Sequence, residues 1–326
     1  MKKLAKVLAG IVGVVAVLAI AYFALVNVRA VEAPESIEGT NPYIVNDDEA
    51  AIVAHRSGGG EFPENTMRAF ESVVNNEGGW VEVLEMDVQI TADGKLVLLH
   101  DDTLDRTTDS TDVFGVADAK VCDYTYEELR QLNFGEGFQA EDGSYPYAGL
   151  RNDAVPDDLR ATLLEDVLDY LQGKGDFDYI IEIKDSDELG YAATDELYRI
   201  LSERDLLDDV VVGTFNSEIT EYFDSEYPDM MRSAGVTDMV GLYVDALLGI
   251  DREPGYYAFD AMEIPMSYYG QDLAEPYIVN HAHKANVAVR YWTINDEDEM
   301  RYLIGIGADA IISDYPSMVN KVLEEL

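Results

Sequence analysis

The chain has one cysteine, Cys122. No intrachain disulfide can form, so a domain exported from the cytoplasm would have to hold together by its core alone. Positive charge is also scarce: 22 Lys and Arg stand against 65 Asp and Glu, a net charge of −43. Nucleic-acid binding leans on cationic side chains that neutralise phosphates, and this balance excludes it. Anionic lipid headgroups are repelled at long range, although salt screens that force beyond roughly 8–10 Å. The acidity reads as a solvated surface. A pocket for a phosphate must therefore reverse the sign locally, with a metal ion or a few placed Arg and Lys. No GxGxxG or GxxxxGK[ST] follows a strand, which removes the usual dinucleotide and P-loop sites. Apolar residues are not lacking: 48% hydrophobic content over 326 residues supplies a sizeable core.

One long uncharged run is present. Residues 7–26 (VLAGIVGVVAVLAIAYFALV) follow Lys2, Lys3 and Lys6. Twenty residues at a rise of 1.5 Å span about 30 Å, the thickness of a bilayer's hydrocarbon core. The positive-inside rule places the N-terminus in the cytoplasm and the remainder outside, as a single-pass membrane protein. A cleaved signal peptide, giving a secreted protein, is the rival; its apolar region runs about 7–15 residues, and NVRA and VEA offer small residues for cleavage. A lipoprotein is excluded, because no Cys follows the run. The expected organisation is an anchor at 1–30, a polar, Pro-bearing tether at 31–48 and one domain at 49–326.

Within that domain, apolar β-rich runs alternate with helical periodicity. Strands are expected at 51–56, 80–91, 96–101, 178–184, 209–215, 258–264, 286–294 and 308–314, with a weaker one near 231–236 or 240–244. Helices fall at 65–76, 126–132, 161–172, 191–203, 216–226 and 296–305. This alternation predicts an α/β fold with a parallel sheet, a (β/α)8 TIM-type barrel, with a doubly wound open sheet as the rival. Residues 105–158 break the rhythm. Rich in Gly, Asp and Tyr, they read as an insertion at the barrel mouth, a lid or a specificity loop.

The stretch VLEMDVQITADGKLVLLHDD (83–102) reads as a hairpin turning at Asp93-Gly94. A two-residue loop pairs Ala92 with Lys95 and, counting outward, Asp87 with His100. Glu85 shares the face of Asp87 by the two-residue period of a strand. Two carboxylates this close ask for a cation, a hard Mg²⁺ or Ca²⁺, unless the face is solvated and the His structural. Glu182 in YIIEIK lies on a buried strand with Lys184 on the same face. They are either a structural ion pair or a metal ligand beside a binder of an anionic substrate. The first strand ends in His55-Arg56, followed by Gly58, Gly59 and Gly60. Arg56 offers a planar fork to a phosphate, and glycines let backbone approach a ligand. Asn65 or Thr66 reads as a helix N-cap. Cleaving a phosphodiester takes two proton transfers, which two histidines can divide near neutral pH. His281 and His283, in a helical stretch, read as surface or packing residues.

In this order, AHR…PENT…AF, LEMDVQITADGKLVLLHDDTLDRTT, IIEIK, VRYWTIND and GADAIISDYP resemble the glycerophosphodiester phosphodiesterase (GDPD) family over about residues 50–326. The resemblance implies a (β/α)8 barrel and one divalent metal ion, Ca²⁺ or Mg²⁺. It also implies hydrolysis of glycerophosphodiesters to glycerol phosphate and an alcohol. By that resemblance Glu85, Asp87 and Glu182 are metal ligands, and His55 and His100 the acid–base pair. Arg56 and Lys184 would bind the phosphate, and Trp292 would line the glycerol side. The family pattern reads His-Arg-Gly where this chain has Ser57. Two other functions fit the same residues: a lysophospholipase D-type enzyme cleaving phospholipids, and a catalytically silent surface domain that binds polyol phosphates. The expected partners are a small-molecule or lysolipid phosphodiester and a membrane, with no nucleic acid.

Overall fold

A computed structural model describes residues 2–30, 32–37, 39–45, 49–75 and 79–326, with side chains from Val15 onward except at residue 16. Eight parallel strands form the frame: β1 (Ala51–Ala54), β2 (Val83–Ile90), β4 (Asp178–Ile183), β5 (Val210–Gly213), β6 (Met231–Arg232), β7 (Ala261–Ile264), β10 (Ala288–Tyr291) and β11 (Ala310–Ser313). They run in the order β6-β5-β4-β2-β1-β11-β10-β7, and a single parallel bridge, Ser233 to Ala261, brings the two ends together. The result is a nearly closed barrel of the TIM type. The strands are buried on both faces, so they read as apolar runs rather than as alternation.

Helices cover the outside. α2 (Met67–Val74) follows β1, and α5 (Leu164–Gln172) closes the second unit. α6 (Asp187–Glu203), α7 (Ser217–Glu226) and α8 (Val236–Leu248) follow β4, β5 and β6. α9 (Pro276–Lys284), α10 (Glu297–Gly305) and α11 (Pro316–Glu324) follow β7, β10 and β11. α5 shows why they dock: Leu164, Val167, Leu168 and Leu171 fall on one face and are all buried. Residues 236–248 are rich in Val and carry Gly241, a composition that favours a strand at 240–244. Packing of Leu242 and Ala246 into the core makes this segment α8 instead, and β6 is the short strand. A small hairpin, β8 (Ser267–Tyr268) and β9 (Gln271–Asp272), projects between β7 and α9.

Two parts deviate from the sequence-based expectation. The first is the hairpin of β2 with β3 (Leu96–Leu98), where Val88 pairs with Leu98 and Ile90 with Leu96. The loop holds three residues, Ala92 to Gly94, with Gly94 at φ +77° and Thr91 N–H donating to the Lys95 carbonyl at 2.9 Å. That extra residue slips the register by one. Asp87 stands level with Leu99, whose N–H donates to the Asp87 carbonyl at 3.1 Å, and the expected pairing of Asp87 with His100 does not occur. A three-residue loop ending in a left-handed Gly is the other common way to close a hairpin. Here Asp93 settles it by accepting from the Thr91 hydroxyl and the Tyr126 N–H.

The second is residues 31–48, read as a tether. Residues 33–36 are exposed, but the later part is packed: Tyr43 and Ile44 are buried against Val211, Ala261 and Ala288, at the end of the barrel opposite the strand C-termini. The Arg290 guanidinium stacks over the Tyr43 ring at 4.5 Å. The N-terminal run, expected as an anchor, lies in α1 (Lys2–Arg29), with the side chains of 7–14 and 16 outside those described. Among the described residues no helix is long and apolar enough to cross a membrane. The insertion carries α3 (Ser110–Phe114) and α4 (Tyr126–Leu129) and builds a small core of its own. In it Leu104, Val121, Leu129, Leu132 and Phe134 pack against Val97 and Leu99 of the hairpin.

Candidate active site

The residues expected to carry chemistry gather at the end of the barrel to which the parallel strands run, where barrels of this type place their sites. A cavity of about 170 Å³ is lined by His55, Arg56, Glu85, His100, Glu182 and Trp292, and Lys184 stands beside it against Phe215. His100 arrives there because β3 ends at Leu98 and the chain leaves the ladder, not through cross-strand pairing.

Glu85 and Asp87 project from β2 and Glu182 from β4, whose registers align Asp87 with Glu182. One oxygen from each carboxylate lies within 4.8 Å of the others. Glu85 and Asp87 are 5% and 1% exposed. Burial, and then the charge of Asp87, push the Glu85 carboxyl well above its ordinary range, and Glu182 is raised by the same two causes. Two cations compensate in part. Lys184 Nζ is 2.6 Å from Glu182 and 3.6 Å from Asp87, and Arg56 Nε is 3.7 Å from Asp87. Burial opposes the Lys184 charge, yet Asp87 and Glu182 outweigh it and raise its pKa. The Oδ1 of Asp87 is buried without a hydrogen-bond partner. Three converging carboxylates with an orphaned oxygen are a donor set that suits a hard divalent cation.

Both histidines are held by a carboxylate on Nδ1. His55 Nδ1 meets Asp314 Oδ1 at 2.6 Å, and Asn295 donates to the other Asp314 oxygen at 2.7 Å. Burial works against the Asp314 charge, but the bond to His55 prevails and lowers its pKa. His100 Nδ1 meets Asp101 Oδ1 at 2.8 Å. Arg106, which bonds both Asp101 oxygens, holds that carboxyl down to about 2. Each ring therefore turns its Nε2 away from its carboxylate, with the tautomer set by the Nδ1 bond.

The chain that carries His55 is bent sharply. Arg56 and Ser57 have φ of +50° and +57°, and the Arg56 N–H donates to Glu85 Oε2 at 2.6 Å. Gly60 is needed because a Cβ would stand 2.6 Å from the Tyr315 ring. Thr66 caps α2 by accepting from the Ala69 N–H. Asn65 serves the site and not the helix, because its amide donates to Asp87 Oδ2 at 2.9 Å.

Sequence reasoning missed Asp314, Asp101, Asn65 and Glu263. Asp314 closes the last strand and Asp101 directly follows His100, so position alone could have flagged them. Glu263 repeats the signal of Glu182, one carboxylate in a buried apolar strand. It sits on the cavity wall 3.4 Å from the buried Arg290, and burial pushes it up to about 7. His281 and His283 are buried packing residues, not surface ones: His281 meets the Tyr257 hydroxyl at 3.2 Å and His283 meets Asp309 at 2.8 Å.

The sequence profile of the glycerophosphoryl diester phosphodiesterase family matches residues 55–318. The chain belongs to this family. Members of this family are phosphodiesterases, and the chain is an enzyme of that class. The uncharacterized protein YqiK of Bacillus subtilis is 31% identical over 84% of this chain and 98% of its own. A glycerophosphodiester phosphodiesterase of Bacillus altitudinis is 27% identical over 84% and 98%. In three dimensions an Oleispira antarctica phosphodiesterase, solved with the product sn-glycerol-3-phosphate, superposes with a TM-score of 0.62 at 21% identity, covering 84% of this chain and 96% of that one. This likeness shows the fold.

Proposed function

We propose that the chain hydrolyses glycerophosphodiesters to glycerol phosphate and an alcohol with two histidines dividing the proton transfers. Two carboxylate-anchored imidazoles and two cations around one small cavity carry this reading. Arg56 and Lys184 bind the phosphate oxygens and supply positive charge that the rest of the surface lacks. His55 takes the proton of the attacking oxygen as that oxygen bonds to phosphorus. The attacker is water, or the glycerol 2-hydroxyl, which gives a cyclic phosphate that water then opens to glycerol phosphate with the two histidines exchanging roles. His100 protonates the leaving alkoxide as its P–O bond breaks. Asp314 and Asp101 orient these rings and stabilise each when it is charged. Trp292, edge-on to Phe215 at 5.9 Å, walls the side where the glycerol lies.

Glu85, Asp87 and Glu182 would hold one divalent cation, Ca²⁺ or Mg²⁺. Bound there, it supplies charge neutralisation for the phosphate and its transition state. The product seen in the Oleispira antarctica relative supports the same substrate class. Residues 7–26 act as an uncleaved anchor that leaves the barrel on the outer side of the cell membrane. The twenty uncharged residues behind Lys2, Lys3 and Lys6 support that placement.

The test is product detection over a panel of glycerophosphodiesters and lysolipids, with and without EDTA. Glycerol phosphate release that stops with EDTA and returns with one cation is the expected result. His100→Ala lowers the rate about 10²–10⁴-fold; a loss under about tenfold sinks the acid–base assignment.

A further inference from the structure

The surface of this chain is acidic almost everywhere, and α8 is an exception. Its positions 236, 240, 244 and 248 are Val, Val, Val and Leu, spaced four apart and therefore on one face. Their exposures are 37%, 59%, 43% and 50%. The other exposed positions of the helix, Thr237 and Gly241, are uncharged. Its two acids point elsewhere: Asp238 pairs with Arg232 at 2.8 Å, and buried Asp245 with Arg252 at 2.6 Å. In a chain of net charge −43, a helix with an uncharged exposed face about 20 Å long is not explained by solvation.

The two ends of this face identify what it meets. At one end, Val236 and Met239 line the active-site cavity. At the other lies the C-terminal part of α1: Arg29 Nε donates to the Leu247 carbonyl at 3.4 Å, and the Tyr22 hydroxyl meets that of Tyr243 at 2.9 Å. Tyr22 also bonds Gln271, which places the β8–β9 hairpin on the same side. Its tip exposes Tyr268 and Tyr269, the latter 90% exposed. Apolar residues in a stripe, tyrosines beside it and the exposed apolar side chains of α1 nearby (Val17, Leu18, Ile20 and Phe23) make the pattern of a protein face at the edge of a lipid layer.

We propose that the exposed face of α8, with the Tyr268–Tyr269 tip, is a docking surface for an electrically neutral lipid bilayer. The acidic remainder of the protein repels anionic headgroups, so the fitting partner is zwitterionic lipid. The docked barrel opens its cavity along the stripe toward the lipid. On the phosphodiesterase reading above, the substrate class that follows is a phosphodiester bearing one acyl chain, lying on Val240 and Val244 while its phosphate enters between Arg56 and Lys184.

The experiment uses the full chain with Cys122 replaced by Ser, reconstituted in phosphatidylcholine vesicles. Single cysteines at Val240, Val244, Tyr269 and, as control, Lys321 on α11 carry an environment-sensitive fluorophore. Brominated phosphatidylcholine quenches the first three and spares the control. In parallel, Val240→Asp/Val244→Asp lowers turnover of a vesicle-borne lysophospholipid at least tenfold and leaves a water-soluble glycerophosphodiester within twofold. Quenching at 240 and 244 no greater than at 321 overturns the proposal. So does cross-linking between two chains through V244C in dilute detergent, which would make a second copy the occupant. A wild-type chain that cleaves neither substrate refutes the phosphodiesterase reading, while the quenching still decides the docking face.

Discussion

His55 Nδ1 and Asp314 Oδ1 stand 2.6 Å apart, joining the residue that leaves the first barrel strand to the one that leaves the last. Because β1 and β11 are paired in register from Ala51–Ala310 to Ala54–Ser313, this contact is fixed by the sheet and not by a loop. An imidazole so held on the cavity wall keeps one tautomer, with its second nitrogen turned away from Asp314. Asp314→Asn keeps the shape and removes the charge that stabilises a protonated ring. The expected result is a fall in kcat of about 10²-fold or more with KM within about twofold. Steady-state kinetics on a water-soluble glycerophosphodiester check it. A rise in KM at unchanged kcat would mean that Asp314 serves binding instead.

Asp87 faces Lys184, Arg56 and Asn65, yet its Oδ1 has no hydrogen-bond partner. A divalent cation would satisfy it. Thermal unfolding of the wild type in the presence of metal at a hundred times its Kd should show a gain of about 3 kcal/mol. In Asp87→Asn the same gain requires at least tenfold more metal. Equal metal dependence in both proteins, read by calorimetry without any substrate, would remove Asp87 from the ligand set.

Glu263 gives the fold a pH signature. Burial raises its carboxyl to about 7, against about 4.3 for an unfolded chain. Between those values the folded state holds a proton that the unfolded state has released. Stability therefore falls as pH rises from the unfolded pKa through the folded one. Glu263→Gln lacks this slope, although it also disturbs Arg290. The stability of wild type minus that of the variant should drop by on the order of 2 kcal/mol from pH 5.5 to 8.5. Urea unfolding at the two pH values measures it, and a constant difference would show that Glu263 is ionised throughout.

Ser57 occupies a left-handed position at φ +57° with its hydroxyl buried and unpartnered. A left-handed L-residue costs roughly 1–2 kcal/mol, offset for glycine by about 0.4–1 kcal/mol of unfolded-chain entropy. Ser57→Gly should therefore stabilise the protein by on the order of 1 kcal/mol. Differential scanning calorimetry checks this. A destabilised variant would mean that the hydroxyl makes a contact worth more than the strain.

The barrel was legible because its strands are short apolar runs between amphipathic helices, and β1, β2, β4, β5, β10 and β11 fall where those runs lie. Glu182 stood out for the same reason, since a carboxylate inside such a run is costly without a partner, whereas Glu85 and Asp87 stood out by sharing one strand face. Register was not legible. Asp93-Gly94 supports a two-residue and a three-residue loop alike, and the choice turned on bonds from Asp93 to Thr91 and Tyr126, the latter 33 residues away. α8 was hidden by its β-branched composition, since tertiary packing overrides propensity. Asp314 and Asp101 were hidden because a carboxylate at a strand end or in an acidic loop looks solvated until its histidine is placed.

The hairpin that carries His100 belongs to two cores at once. Leu96 and Leu98 pack into the barrel, whereas Val97 and Leu99 pack into the small cluster of the insertion. A histidine tethered in this way keeps its place only while both clusters are intact, and the smaller one holds fewer apolar groups and melts sooner. On the acid–base reading above, heat should then silence the enzyme before it unfolds it: the barrel, its carboxylates and its phosphate-binding cations would outlast the proton donor, and activity would return on cooling without the chain having to find its fold again.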